Sequence, residues 1–320
     1  MSFLRNLLGR KPMTLEEDPY GYSRYKYEVR FSLIGTVRSG KSTLAAALVV
    51  AAETMSAMMK GFYCRVLPKS SHIMTDANNL RCGRFPAKTD PFLPIAPEAG
   101  LLIGQSARRP LGKDTVTQVP ICDVGGEVMD ALAIVRPTQR QLEYIRNINR
   151  QVVNHIQDSQ GFIIVLPATD ALFFRKDHIV LDSDSYLYNI LGQMMDYKRD
   201  NKGKIKGVAV WFTKWDEAMV DAKELGMDIY HSDEAVTRFM DNGFPGLAML
   251  LKGLRDEGRV RYFRSYFNPA RHDDGRPVEW SDGSPKIKLI DDPRHYIRFK
   301  PDFAGDEYVE FIKWAASFAK

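Results

Sequence analysis

Eight consecutive residues, Gly35-Thr36-Val37-Arg38-Ser39-Gly40-Lys41-Ser42, place two glycines, a lysine and several hydroxyls at the spacing that wraps backbone N–H groups around a chain of phosphates. Gly35 and Gly40 permit the tight turn that lets the main chain approach a ligand closely. Lys41 supplies a cation for the β and γ phosphates, and Ser42 offers a hydroxyl to Mg²⁺. Thr36, Val37, Arg38, Ser39 and Thr43 complete the binding segment. The chemistry this pattern serves is retention of a nucleoside triphosphate, by this chain or by its ancestors.

Two further patterns bear on the same chemistry. Asp123-Val124-Gly125-Gly126-Glu127 follows a strand-like segment that ends at Cys122. A carboxylate at a strand tip beside a phosphate loop can hold Mg²⁺ through its water shell, and Gly126, three residues on, lets its N–H approach the γ phosphate. By itself Asp-x-x-Gly is also the composition of an ordinary turn. Thr213-Lys214-Trp215-Asp216 follows the apolar run ending at Phe212. There Asp216 can accept hydrogen bonds from the N1–H and N2 amine of guanine while the Lys214 stem lies along the base. Adenine has an acceptor at N1 and no N2 amine, so it would leave a buried carboxylate unpaired; sites built on such bonds discriminate by about four orders of magnitude. Taken alone, this tetrapeptide reads first as a charged loop between a strand and a helix.

Rigid elements must bring these segments together. Residues 27–34 alternate and are β-branched and aromatic, a strand; residues 43–50 are dense in alanine and leucine, a buried helix. A helix N-terminus then points at the phosphates. Residues 60–98, rich in Pro, Gly, Asn and Asp, read as a long loop. Residues 101–106 and 115–121 read as strands of an antiparallel hairpin around a turn at 109–113. A helix is expected over 140–157. The apolar runs 162–166 and 207–212 have strand length and the character of strands buried on both faces. Helices are expected at 185–199, through most of 232–257, and at 306–319, with a sixth strand at 260–263 and a small β insertion over 268–303. The expected architecture is α/β: a doubly wound, mostly parallel six-stranded sheet with one antiparallel strand. Residues 1–25 form an N-terminal extension, and 26–320 a single domain with inserts at about 60–98, 219–257 and 268–303.

The 320 residues are 44% hydrophobic and 27% charged, which suits a folded domain with a large core and argues against bulk disorder. A net charge of +5 permits an anionic partner without requiring one. The arginines at 259, 261 and 264, interleaved with aromatics, read as strand alternation, aromatics inward, and no nucleic acid partner is expected. Cys64, Cys82 and Cys122 are odd in number and widely spaced, which suggests a reducing compartment and neither a disulfide frame nor a zinc site. No run is long and apolar enough to span a membrane. Residues 1–12 place Phe3, Leu4, Leu7 and Leu8 on one helical face, which could dock on a membrane surface or a partner groove, or pack on the chain's own domain.

In their order, each behind its own strand, the three segments resemble the P-loop GTPases of the Ras-like, translation-factor-related class. The resemblance spans residues 26–267 and the final helix. The spellings at Ser39–Thr43 and Asp123–Gly126 are similar to those of heterotrimeric G protein alpha subunits, although no all-helical insertion of that family's size fits between Lys41 and Leu101. The enlarged domain is also similar to bacterial GTPases that work in pairs. The resemblance implies a Ras-like G domain that binds GTP and GDP with Mg²⁺, hydrolyses GTP slowly, and acts in the cytoplasm on a protein effector or regulator, a second GTPase among the candidates. It implies a first-switch threonine on the metal, with Thr89 the best candidate and Thr75 the next. It implies a final base-contacting loop near Ser265, and Arg84 or Arg81 could serve as an arginine finger, although both read first as surface arginines. Lys41, Ser42, Asp123 and Asp216 are its principal residues. Many relatives carry glutamine where Glu127 stands. A carboxylate there is repelled by the γ phosphate unless Mg²⁺ and Lys41 screen it, which predicts very slow hydrolysis; as a general base for water it predicts competent hydrolysis. The alternatives are a GTP-binding scaffold that does not turn over, and an ATP-using enzyme with a chance Thr-Lys-Trp-Asp.

Overall fold

The computed structural model describes residues 25–36, 39–58, 62–66, 71–86, 100–105, 114–120, 159–174, 183–200, 204–227, 233–291 and 299–318. Strands β5 (Gly161–Pro167) and β6 (Gly207–Thr213) are the two apolar runs of the sequence, and every residue of both is buried. Successive strand residues point to opposite faces. Phe162, Ile164, Leu166, Val208, Val210 and Phe212 accordingly enter one core cluster, whereas Ile163, Val165, Ala209 and Trp211 enter another. A strand that buries both faces needs helices on both sides of its sheet, and the chain supplies them.

On the first side pack α3 (Ser183–Asp200), α4 (Trp215–Glu224), α5 (Asp233–Gly243) and α6 (Pro245–Asp256). On the second pack α1 (Lys41–Met58), α2 (Ser71–Arg81) and α7 (Gly305–Ser317). The α1 residues Leu44 to Ala52 are all buried. An all-apolar stretch of this kind belongs in an interior position, and its alanines admit the neighbouring helices closely. The break between α5 and α6 falls at Phe244-Pro245: Pro245 cannot continue α5 but suits the first turn of α6. That first turn is capped from a distance, where the buried Asp184 carboxylate of α3 accepts the N–H groups of Gly246 and Leu247 at 2.8 and 2.7 Å.

The sheet has seven described strands, in the order β2-β3-β4-β1-β5-β6-β7. β1 (Tyr25–Gly35) is flanked in parallel by β4 (Asp114–Pro120) and β5, and β6 and β7 (Val260–Arg264) continue the parallel run. β3 (Gly100–Gln105) runs antiparallel to β4, which is the expected hairpin, and also to β2 (Phe62–Val66). The expected count of six is therefore corrected to seven. The added strand, together with α2, lies inside the segment 60–98 that composition marks as loop. β2 is an edge strand of five residues whose pairing partners lie 35 to 43 residues further along the chain, so its turn-rich flanks dominate its local composition.

Residues 267–291 and 299–303 leave the sheet as a meander of isolated bridges, among them Phe267 with Phe303 and Pro269 with Ile287, plus the short antiparallel pair β8 (Leu289–Asp291) and β9 (Phe299–Pro301). In β7, Phe263 enters the second core while Tyr262, facing the opposite way, packs against the first, so the aromatics occupy both faces. Among the described residues no helix is long and apolar enough to cross a membrane. The expected helix at 140–157 and residues 1–12 lie outside the described residues.

Candidate functional site

β1 occupies the place where connections leave for both halves of the sheet, with β4 on one side and β5 on the other. In open α/β sheets this switch point, at the carboxyl ends of the strands, forms a ligand crevice. The loop after β1 opens there. Gly35 is the register partner of Val165, and a Cβ on it would lie 2.8 Å from the Val165 carbonyl oxygen and 2.6 Å from Ser39 Oγ. Only glycine admits that approach. Gly40 has φ of +89°, again a glycine conformation, and its carbonyl accepts the Leu44 N–H as α1 begins. Lys41 is buried at 7% exposure, and its ammonium donates to the carbonyls of Gly35 at 3.0 Å and Thr36 at 2.8 Å. The loop is thus folded around its own cation. Two of its hydroxyls, Thr36 Oγ1 and Ser39 Oγ, are buried with no hydrogen-bond partner among the described residues. Buried polar atoms are rarely left this way.

The Thr213 hydroxyl at the end of β6 donates to the Ser39 carbonyl at 2.7 Å, with the Leu166 carbonyl at 3.3 Å. A residue 174 positions away thereby ties the phosphate-type loop to the neighbouring strand tips. Lys214 is left-handed, at φ 53° and ψ 36°, the one non-glycine residue with positive φ among the described residues. That conformation costs of order 1–3 kcal/mol and reverses the chain into α4. Ser265, buried after β7, donates its N–H to the Phe212 carbonyl at 2.7 Å and accepts the Trp215 N–H at 3.2 Å, so it braces this reversal from the far side.

One cavity of about 240 Å³ joins these parts. Ser39, Gly40 and Thr43 line it from the loop and α1; Thr213, Lys214, Asp216 and Ser265 line it from the segments after β6 and β7. Burial pushes the Asp216 carboxyl above its ordinary 3.8, against the opposing pull of the Asp216 and Glu217 N–H groups and of Lys214. Glu217, also on the cavity, is raised by burial as well. A half-buried carboxylate beside a lysine stem and an apolar wall can accept hydrogen bonds from a planar heterocycle; the loop end can wrap an anion.

The walls also contain Phe85, Tyr266 and Phe267, which were not anticipated. Phe85 lies beside Arg84 in the segment read as loop, and aromatic character next to a suspected anion contact was the available signal. Arg84 itself stands off the cavity. Its guanidinium lies 4.8 Å from the Trp280 ring centre and pairs with Asp282 at 3.4 Å. Arg81 bonds to Asn78 within α2, and Thr75 is exposed on that helix; neither lines the cavity. Ser42 is the second residue of α1. Val37, Arg38, Thr89, Asp123, Gly126 and Glu127 lie outside the described residues.

No protein-family model matches this chain, and no curated protein matches it. Among solved structures the chain is similar to the bacterial selenocysteine-specific elongation factor EF-Sec, with 14% identity and a TM-score of 0.29. The match covers 75% of this chain and 25% of that structure, so the chain spans about a quarter of the length of the relative.

Proposed function

We propose that this chain is a guanine-nucleotide-binding protein of the Ras-like class, taking GTP and GDP with Mg²⁺, hydrolysing GTP slowly and signalling its bound state to a protein partner in the cytoplasm. The observation that supports it most is the convergence of Ser39, Gly40 and Thr43 with Lys214, Asp216 and Ser265 on one cavity. Segments separated by more than 170 residues meet at one cavity, and this reading assigns the phosphates to the loop after β1 and the base to Lys214 and Asp216.

The buried, unpartnered hydroxyls of Thr36 and Ser39 fit a ligand rich in acceptor oxygens. In this reading Lys41 turns from the loop carbonyls toward the β and γ phosphates, and Thr213 holds the loop at the height the phosphates require. Asp216 accepts the N1–H and N2 amine of guanine. Lys214 and Phe85 flank the base. Ser42 and Asp123, with Thr89, would hold Mg²⁺, which supplies charge neutralisation between the phosphates. In hydrolysis the oxygen of water bonds to the γ phosphorus as the bond from that phosphorus to the β–γ bridging oxygen breaks, GDP leaves and the water proton ends on the released phosphate; this reading puts Glu127 beside that water.

The nucleotide that co-purifies with the full chain tests the reading first: guanine di- or triphosphate supports it, adenine nucleotide overturns it. Asp216→Asn tests the base assignment. An amide can donate to the extra carbonyl of xanthine, so preference should move from GTP to XTP; an unchanged guanine preference would show the assignment to be wrong.

A further inference from the structure

The segment 82–86 reaches the cavity by a specific turn. At the end of α2 the Gly83 N–H donates to the Leu80 carbonyl and the Arg84 N–H to the Asn79 carbonyl, both at 2.9 Å, with Gly83 at φ +77°. This paired closure ends a helix sharply and redirects the chain. Here it directs Phe85 into the cavity wall, where its ring meets Phe267 edge-on at 5.4 Å.

The turn is gripped from outside by the meander. The Gly83 carbonyl accepts the Ile287 N–H at 2.8 Å and the Trp280 Nε1–H at 3.4 Å. A Cβ on Gly83 would lie 2.9 Å from the Ile287 carbonyl oxygen, so the two chains run in direct contact. The Trp280 ring carries two cations, Arg84 at 4.8 Å and Lys286 at 4.4 Å, and Asp282 pairs with Arg84. Ile287 is buried in the second core, which anchors the meander to the body of the protein. The residues around Trp280, from Arg271 to Gly283, are otherwise almost all exposed. Apart from its own turn, the indole therefore grips the residues that precede Phe85.

We propose that Trp280 is a positioning residue for the nucleotide pocket. Through Gly83 and Arg84 it fixes Phe85 against Phe267, and so sets how long a guanine nucleotide stays bound. The proposal rests on the reading of the cavity as a guanine-nucleotide site. Losing a stacked aromatic from a base costs enough to speed release about fivefold or more, and loosening that aromatic costs a part of it.

The test is release of a fluorescent N-methylanthraniloyl-GDP from the full chain, with thermal unfolding of each variant alongside. Phe85→Ala should speed release about fivefold or more. Trp280→Ala should speed it several-fold, Trp280→Phe should restore much of the difference, and Phe85→Ala with Trp280→Ala should be no faster than Phe85→Ala alone. A merely structural Trp280 would lower the unfolding temperature while leaving release at the parental rate, and that result overturns the proposal. Rates that multiply in the double variant overturn it too, because the two residues would then act separately. If the parent holds the adenine analogue as well as the guanine one, or neither, the reading of the cavity fails and the proposal goes with it. A parent that retains the guanine analogue while every Trp280 variant matches its rate removes the positioning role alone.

Discussion

Thr213→Val probes the bond that joins the two halves of the cavity. The hydroxyl donates one proton, and the 2.7 Å separation assigns it to the Ser39 carbonyl over the Leu166 carbonyl at 3.3 Å. Both Thr213 and Ser39 are buried, so the carbonyl left behind cannot turn to bulk water. Valine keeps the volume but puts a methyl where the hydroxyl stood. Carbon prefers to stand about 3.3–3.6 Å from a carbonyl oxygen, so the loop must retreat by roughly half an ångström or more. An orphaned buried acceptor costs about 1–3 kcal/mol. That energy falls partly on the fold and partly on the loop geometry that meets the ligand. If all of it falls on binding, affinity drops by about 5- to 150-fold. Calorimetric titration with GDP and urea unfolding of the unliganded chain divide the loss between the two. Thr213→Ser, which keeps the hydroxyl, should remain within about twofold of the parent in affinity. The reasoning is refuted if the valine variant matches the parent in both measurements, since the bond would then hold nothing in place.

Asp216 should give guanine binding a dependence on pH. Its raised carboxyl takes up a proton above 3.8, and the protonated form no longer accepts both base bonds, so GDP affinity should fall with acidification earlier than an exposed aspartate would allow. For the unliganded fold the sign is opposite: a folded pKa above the unfolded one contributes stability below 3.8 that is lost as pH rises through the raised value. Affinity measured across the acid range should show the effect in the parent and not in Asp216→Asn; equal profiles would exclude Asp216 as its source. Asp184→Ala removes the cap that α3 provides to α6, two charge-assisted bonds to Gly246 and Leu247, and should cost about 1.5–3 kcal/mol in urea unfolding. A loss below about 0.5 kcal/mol, the usual scale of a surface substitution, would mean water caps that helix equally well.

The parts of this protein that were legible in its sequence are those in which neighbouring residues carry the signal. The unbroken apolar runs of β5 and β6 and the Ala-rich run of α1 are local, and so are the glycines whose spacing bends the loop. Asp216 and Ser265 come to line one cavity for a related reason, because each follows its own strand and the strand ends determine where the loops meet. What was missed depends on partners far along the chain. β2 is a strand because β3 pairs with it, not because Phe62–Val66 insists on it. Arg84 is placed in the same way. Its sequence neighbours leave both a phosphate contact and a surface position open, and Trp280, nearly two hundred residues on, offers it an aromatic face and Asp282 a counter-charge. Phe85 reaches the cavity because that same contact holds the turn before it, so the position of the arginine and that of the unanticipated aromatic have one cause. A short-range pattern can locate a ligand loop on a strand tip. Which side chains then close around the ligand is decided by insertions that the pattern does not cover, and here it is the meander after β7 that places both.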